Sequence, residues 1–404
     1  CFQRIKIVTT SPLNFIFNSQ LPDFHMFYML HLLRSCVTIV ATKNNYILTI
    51  YDFYHKKKSF SQLILRYKNN NNFKQLNMKK ASSYLVLLLI VTTLFSSFKN
   101  NEKQSVNPPS EFELLVQYLE ASGNFINTDA PAIILAPELK DNLKNDKYLI
   151  LDIRSNDWFV YGHIKGSKNV EGPELLNYFE KEIDPASFDK ITIICYSGQS
   201  ASYYAALLRL YGYNNVYSLK WGMGSWNEEF ATNYWVKNAK DEFTDQLETS
   251  ANPMPEKGAT PTINTGKTDG KEILKARIKE AFEKPYKDYA VKSVDAFTTP
   301  EDYFIVNYVT EANYNAGHIK GAINYEPKTL AATANLYTLP TDKKILVNTN
   351  AGLSSIYVVA YLEVLGYDVY QLAYGSNSFM NSILTKNGWD GWSAKEINSF
   401  PVVE

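Results

Sequence analysis

The fold is decided by one stretch of the chain, residues 191–202, which read Ile-Thr-Ile-Ile-Cys-Tyr-Ser-Gly-Gln-Ser-Ala-Ser. Its β-branched apolar start is typical of a buried strand, and the apolar spacing of residues 203–210 predicts a helix. Cys195 therefore lies where a parallel strand ends and a helix begins. Backbone N–H groups at such a turn favour an anion, and they lower the pKa of a thiol there. We expect a reactive thiol at Cys195, with a small buried cysteine as the alternative.

The amino-acid composition limits the classes of function that are expected. The chain has 404 residues, which suggests two to three domains. Its 41 basic and 41 acidic residues balance, and no long basic block points to nucleic acid. There are three cysteines without a CxxC pair, and the five histidines are scattered. A zinc site is therefore not expected, and no metal or organic cofactor is implied.

Residues 78–97 look like a bacterial secretory signal peptide. Met78 is followed by two lysines and by an apolar core of about a dozen residues. That core is shorter than the roughly 20 apolar residues that span a bilayer. We therefore expect export to the periplasm or cell envelope, with an uncleaved signal anchor in the membrane as the alternative. Residues 98–109 form a polar spacer.

The segment before the signal peptide, residues 1–77, is rich in Asn, Lys, Phe, Tyr and Ile. Export signals belong at an N-terminus, so we interpret this segment as non-native upstream translation or a disordered extension. A genuine extension with an apolar patch near residues 24–40 is the alternative. Under the first interpretation Cys195 is the only cysteine of the exported chain. It would then be either a free reactive thiol or the partner in an intermolecular disulfide.

An internal repeat divides the remainder of the chain. Residues 162–166 read Gly-His-Ile-Lys-Gly and recur as residues 317–321. Further matches follow at nearly the same offset, a period too long for a solenoid. We therefore predict a duplicated domain. The first copy covers residues 110–236 and the second residues 271–404, and a polar linker rich in Pro, Gly and Thr, residues 237–270, joins them.

Within the first copy, strands and helices alternate. Ser110 with Glu113 predicts a capping box at the start of a helix. Strands are predicted at residues 132–135, 148–153, 168–170, 191–194 and 215–218, with helical segments between them. This alternation predicts a parallel sheet covered by helices on both faces. Ligands of such sheets bind at the carboxyl ends of the strands, where Cys195 lies.

Four segments, taken in order, resemble the signatures of the rhodanese-like family of sulfurtransferases. They are residues 151–154, 162–170, 195–200 and 216–226. The resemblance covers residues 132–236 well and residues 300–392 more weakly. It implies two tandem rhodanese-like domains, each a five-stranded parallel β-sheet flanked by helices on both faces.

The resemblance also implies a reaction. The loop cysteine of the family takes a sulfane sulfur from a donor such as thiosulfate, becomes a persulfide, and passes the sulfur to a thiophilic acceptor. Cys195 would be that nucleophile. Six loop residues are expected to contact sulfur or substrate through their backbone: Tyr196, Ser197, Gly198, Gln199, Ser200 and Ala201. The hydroxyls of Ser197, Ser200 and Ser202 are further candidate donors.

The second copy departs from the family pattern. Thr349 stands opposite Cys195, and Val306 stands opposite Asp152. Because threonine cannot form a persulfide, this copy is expected to be inactive in sulfur transfer. Asp152 and Arg154 follow a strand end, and we expect them to form an ion pair that supports the fold near the loop.

Roles are also expected for three residues outside the Cys195 loop. His163 recurs as His318 in the copy that lacks the cysteine, so we expect it to be structural and not a general base. Lys220 and Trp221 are expected at the rim of the site, with Lys220 a solvated charge that could attract an anionic donor.

Two rival functions stay open. Cysteine phosphatases and arsenate reductases use a C-x5-R loop, but the sixth residue after Cys195 is Ala201. The other rival is a non-catalytic sulfur carrier or protein-binding module that uses the degenerate second copy. The expected partners are a small sulfur donor and acceptor, with a protein persulfide as a further candidate.

Overall fold

The computed structural model describes residues 108–404 in full and, before them, only the backbone of five strands. These strands pair antiparallel in the order of the sequence: β1 Ile7–Thr9, β2 Val37–Ala41, β3 Tyr46–Phe53, β4 Gln62–Asn69 and β5 Asn72–Met78. The rest of residues 1–77 lies outside the described residues. So do the predicted signal peptide beyond Met78 and the spacer up to residue 107.

The first domain contains a five-stranded sheet in the order β6-β10-β9-β7-β8, with every pairing parallel. The strands are β6 Ile133–Ile134, β7 Tyr148–Asp152, β8 Lys168–Asn169, β9 Lys190–Ile194 and β10 Val216–Leu219. The helices are α1 Glu111–Ala121, α2 Phe125–Thr128, α3 Ala136–Asp141, α4 Asn156–Tyr161, α5 Leu175–Lys181, α6 Gln199–Tyr211, α7 Met223–Trp226, α8 Glu228–Thr232 and α9 Trp235–Asn238.

The second domain repeats this arrangement. Its sheet has the order β11-β15-β14-β12-β13, again with parallel pairings throughout. The strands are β11 Ala290–Val291, β12 Tyr303–Asn307, β13 Ile323–Asn324, β14 Lys344–Asn348 and β15 Val369–Leu372. The helices are α10 Gly270–Glu283, α11 Ser293–Thr298, α12 Glu311–Ala316, α13 Leu353–Val364 and α14 Asn377–Asn387. The predicted fold of two parallel α/β domains is confirmed.

Short 3₁₀ turns connect several of these elements: Gly172–Glu174, Pro185–Ser187, Thr244–Gln246, Tyr286–Tyr289, Pro300–Asp302, Leu336–Thr338 and Ala394–Glu396. The first helix begins as its sequence predicts. The Ser110 side chain accepts a hydrogen bond from the Glu113 N–H, and the Glu113 carboxylate accepts one from the Ser110 N–H. This capping box satisfies backbone donors that the first turn leaves free. Among residues 108–404, no helix is both long enough and apolar enough to cross a membrane.

Sheet register corrects one alignment between the two copies. In the first sheet Asp152 lies opposite Ile194, the residue before Cys195. In the second sheet Asn307 lies opposite Asn348, the residue before Thr349. Asn307, and not Val306, therefore occupies the place of Asp152. Matching residues of the two copies are one position further apart in the sequence before the central strand than after it. Applying one constant offset to the whole repeat therefore misaligns one of these two parts.

The two domains pack as one unit. Helices α6 and α13 contribute to one continuous apolar cluster that also contains residues of α10. Leu208 of α6, Val359 of α13 and Ile278 of α10 are all completely buried within it. A buried hydrogen bond also crosses between the domains, since the Tyr357 hydroxyl donates to the Ala132 carbonyl at 2.6 Å. The domains therefore do not swing freely on their linker.

The end of the chain returns to the first domain. Val403 pairs antiparallel with His163, and the Trp226 indole donates to the Pro401 carbonyl at 3.0 Å. Phe400 and Val402 pack on the core cluster that contains Ile164 and Trp226. The core of the first domain is thus completed by the last residues of the chain.

Candidate active site

Cys195 lies directly after β9, the central strand of the first sheet, and only 1% of its surface is exposed. Its Sγ accepts hydrogen bonds from the N–H groups of Gly198, at 3.1 Å, and Ala201, at 3.3 Å. The loop curls around the sulfur because Gly198 has a φ of +90°. A Cβ at that position would also lie 2.9 Å from the Leu219 carbonyl oxygen, so only glycine fits.

Two opposing effects set the pKa of the Cys195 thiol. Burial raises it, whereas hydrogen bonds from the Ser200 hydroxyl and from the loop N–H groups lower it, and burial is the larger effect. The helix terminus alone led us to expect a lowered pKa, but the structure gives the opposite sign because the sulfur is almost completely enclosed. The loop hydrogen bonds are therefore what makes a thiolate attainable in this buried place.

A charge on Cys195 affects the pKa values of three buried phenols, two of them in the second domain. Burial, together with charge on Tyr196 and Cys195, raises the pKa of Tyr234 to about 12. Burial likewise raises the pKa values of Tyr286 and Tyr374, and a charge on Cys195 adds to both. All three stay protonated near neutral pH. No sequence signal identified Tyr286 and Tyr374, because their places relative to Cys195 depend on how the two domains pack.

The predicted loop residues divide into distinct roles. The Ser197 carbonyl accepts a hydrogen bond from the Trp235 indole at 3.0 Å, and the ring of Tyr196 stacks on Tyr234 with centroids 4.8 Å apart. The Ser202 hydroxyl donates to the Gly198 carbonyl at 2.8 Å, so it holds the turn. The Gln199 side chain points to the second domain, while Ser200 and Ala201 face the sulfur.

Asp152 and Arg154 form a fully buried ion pair. Arg154 Nη2 lies 2.7 Å from Asp152 Oδ2 and also 2.7 Å from the Gly162 carbonyl oxygen. The guanidinium packs near the rings of Phe230, at 5.0 Å, and Tyr196, at 5.8 Å. The pair thus ties the end of β7 to the turn at Gly162 and supports the ring of the residue after Cys195.

The remaining predicted residues lie in structural positions. His163 Nδ1 is 2.9 Å from the Phe159 carbonyl oxygen, and its ring stacks on Phe159. His318 in the second domain makes the same two contacts with Tyr314.

The rim expected at Lys220 and Trp221 is closed by the second domain. Lys220 Nζ pairs with Asp390 Oδ1 at 2.8 Å. Trp221 is 1% exposed and donates to Glu396 Oε2 at 2.7 Å, so it is a buried domain contact and not a rim residue.

The second domain keeps the loop geometry without the thiol. Thr349 Oγ1 accepts hydrogen bonds from the N–H groups of Gly352, at 3.2 Å, and Ser355, at 3.3 Å. The ion pair is absent from the matching positions: Asn307 Oδ1 accepts from Asn348 Nδ2 at 2.6 Å, and Val309 stands where Arg154 would be.

The surroundings of the two loops differ too. In the first domain the rings of Trp158 and Tyr196 meet edge to face at 5.7 Å. The matching positions in the second domain are Asn313 and Asn350, which line a cavity of about 170 Å³ beside Thr349. The second domain thus has a cavity where the first domain has an aromatic wall of two packed rings.

Comparison with known proteins settles the family. The model of the rhodanese-like domain matches residues 135–229 and 279–395, which together make up more than half of the chain. The chain belongs to the rhodanese-like domain family. Apart from β6, which lies just before the first match, the two matched segments contain all strands of the two parallel sheets, so the duplication is of one rhodanese-like domain.

Three curated relatives are thiosulfate sulfurtransferases named GlpE. The protein from Ectopseudomonas mendocina is 32% identical over 97 residues, which are 24% of this chain and 85% of that protein. The one from Stutzerimonas stutzeri is 33% identical over 97 residues, with the same coverage. The one from Shewanella oneidensis is 35% identical over 80 residues, 20% of this chain and 75% of that protein. The chain is thus a rhodanese-type sulfurtransferase.

Proposed function

We propose that Cys195 accepts a sulfane sulfur from a small donor such as thiosulfate and passes it, as a persulfide, to a thiophilic acceptor. One observation carries the proposal. The Sγ of Cys195 lies in a loop whose Gly198 and Ala201 N–H groups point at it, at the N-terminus of the long helix α6. Names of the relatives support thiosulfate as a donor.

The reaction needs two displacements at sulfur. The Cys195 thiolate attacks the outer sulfur of thiosulfate, a new S–S bond forms, and the S–S bond of the donor breaks as sulfite leaves with the electron pair. An acceptor such as cyanide then attacks the outer sulfur of the persulfide. Thiocyanate leaves and the Cys195 thiolate returns, so the cycle balances without an external oxidant.

The loop contributes electrostatic stabilisation to both displacements. Negative charge resides on the cysteine sulfur in the attacking thiolate and on the outer sulfur in the persulfide. Preorganised N–H donors stabilise such charge strongly where water is excluded.

The proposal includes export from the cytoplasm, which the charged start and short apolar core of residues 78–97 support. Fractionation of bacterial cells that express the gene would test it. We expect the protein in the periplasmic or envelope fraction, with an N-terminus after residue 97 or an intact anchor. Recovery only from the cytoplasm, with residues 78–97 intact, would contradict export.

Turnover of thiosulfate and cyanide to sulfite and thiocyanate tests the sulfur-transfer proposal. We expect activity in the wild-type protein, none in Cys195→Ser, and near wild-type activity in the matched control Thr349→Ser, which alters the equivalent residue of the second domain. Persulfide formation without turnover would favour the sulfur-carrier alternative. Full turnover by Cys195→Ser would overturn the proposal.

A further inference from the structure

The loops that carry Cys195 and Thr349 lie directly against each other across the domain boundary. A Cβ on Gly198 would lie 3.1 Å from Leu353 Cδ2, and one on Gly352 would lie 3.0 Å from Gln199 Oε1. Each loop leads into one of the two helices, α6 and α13, that pack together at the centre of the shared core. Movement of one loop must therefore disturb the other.

Gln199 links the two loops through its side chain, which is only 3% exposed. Its Oε1 accepts hydrogen bonds from the Tyr374 N–H, at 2.7 Å, and from Gln371 Nε2, at 3.1 Å. Its Nε2 donates to the Ser197 hydroxyl at 3.1 Å, within the Cys195 loop. The amide thus has partners in both domains. The matching residue of the second domain is Leu353, whose apolar side chain cannot form such hydrogen bonds to the first domain.

The second domain holds its end of this link firmly. Gln371 is completely buried on β15, and its Oε1 accepts a hydrogen bond from the Tyr286 hydroxyl at 2.9 Å. Its Nε2 also donates to the Gly352 carbonyl. A continuous series of buried hydrogen bonds therefore runs from Tyr286 through Gln371 and Gln199 to Ser197. Buried polar groups in such a network lose their partners if one member is removed.

The same loop is held from its other side. The Trp235 indole donates to the carbonyls of Ser197, at 3.0 Å, and Trp221, at 3.2 Å. Trp235 in turn packs on Trp392 and Tyr374 of the second domain, with ring centroids 5.4 and 4.9 Å away. Two supports thus reach Ser197, and both rest on the degenerate domain, where they share Tyr374.

The position of Gln199 makes this link matter for the sulfur. Gln199 lies between Gly198 and Ala201, whose N–H groups donate to Cys195 Sγ. We propose that Gln199 is a positioning residue through which the degenerate domain keeps the Cys195 loop closed around the sulfur. The second domain, which cannot carry sulfur itself, is on this account a required part of the first domain's active site.

Alkylation of the thiol tests the proposal without any sulfur donor. We expect Gln199→Leu and Gln371→Leu to raise the rate at which iodoacetamide modifies Cys195 at least tenfold, because an unlinked loop exposes a sulfur that is now enclosed. The double variant should show no more than the larger single effect, since both changes break one link. Glu120→Ala is the control. It removes a different hydrogen bond between the domains, to the Ala332 N–H, and should leave the rate unchanged.

The second measurement is kcat for sulfur transfer from thiosulfate, and its interpretation rests on the proposed function. The same two variants should lose kcat with thiosulfate by tenfold or more and keep their thermal unfolding midpoint. If either leucine variant fails to fold, Tyr286→Phe serves instead, because it removes only the hydroxyl that holds Gln371 and should speed alkylation in the same direction. Unchanged alkylation rates in the folded variants would overturn the inference. Absence of sulfur transfer in the wild type would overturn only the proposed function.

Discussion

In both domains, the residue after the central strand places a side-chain atom within reach of two loop N–H groups. The atom is sulfur in Cys195 and oxygen in Thr349, and the four distances all lie between 3.1 and 3.3 Å. The loop conformation is therefore independent of the thiol. The domains differ in the side-chain atom that accepts these hydrogen bonds and in the groups around the loop. Only the first domain has the buried Asp152–Arg154 pair and the aromatic wall formed by Trp158 and Tyr196.

The largest expected effect comes from replacing Cys195 by threonine, the residue that occupies its place in the second domain. We expect Cys195→Thr to lower thiosulfate turnover by about a thousandfold or more, because an alcohol oxygen cannot accept and release sulfur. The protein should fold normally, since Thr349 shows that this loop accommodates threonine. Steady-state kinetics and thermal unfolding together test both expectations. Residual turnover above a tenth of wild type would show that another residue carries the sulfur.

The ion pair offers the next largest effect. Arg154→Val copies Val309 and leaves Asp152 buried without a partner, so we expect it to lower the free energy of unfolding by about 3–5 kcal/mol. The double variant Asp152→Asn and Arg154→Val copies the second domain fully and should be less destabilising. Urea unfolding of the full chain measures the difference. Equal losses in the two variants would mean that the uncompensated charge is not the cause.

The pH dependence of sulfur uptake tests the electrostatics of the thiol. Because burial raises the pKa of Cys195, the thiol form persists to higher pH than in an ordinary cysteine. The thiolate is the attacking species, so the single-turnover rate should rise about tenfold per pH unit through neutral pH and beyond the usual thiol pKa of about 8.5. Rapid-mixing experiments at several pH values would show this. A plateau below pH 7 would mean that the loop donors outweigh burial.

The smallest expected effect comes from restoring a thiol to the second domain. In a Cys195→Ser background, Thr349→Cys should recover no more than about one hundredth of wild-type turnover, because the ion pair and aromatic wall are missing there. The single variant Cys195→Ser is the matched control. Recovery close to the wild-type rate would mean that the thiol alone distinguishes the two domains.

Much of the fold follows from local sequence patterns. The capping box at Ser110, the apolar central strand before Cys195 and the repeated Gly-His-Ile-Lys-Gly segments each appear in the structure as predicted. They depend on neighbouring residues or on strict periodicity, which a sequence displays directly. Val306 was wrongly placed opposite Asp152 because the offset between Cys195 and Thr349 was applied to the whole repeat. The Gly-His-Ile-Lys-Gly segments have an offset one residue larger, and strand pairing confirms Asn307 at that place.

The contacts between the domains could not be predicted in this way. Gln199 was expected to act through its backbone, but its side chain bonds to Gln371, which lies far away in the sequence. The burial of Trp221 against the second domain, where it donates to Glu396, has the same origin. Such contacts depend on which helix faces of the two copies pack together, and the motifs of a single domain do not predict that packing.

In the proposed mechanism Cys195, and no residue of the Thr349 loop, carries the transferred sulfur. Mass spectrometry of proteolytic peptides after brief exposure of the native protein to thiosulfate tests it most directly. We predict one added sulfur atom on the peptide that contains Cys195, its removal by cyanide, and no change in the peptide that contains Thr349. An unmodified Cys195 peptide in a protein that still turns thiosulfate over would contradict the claim.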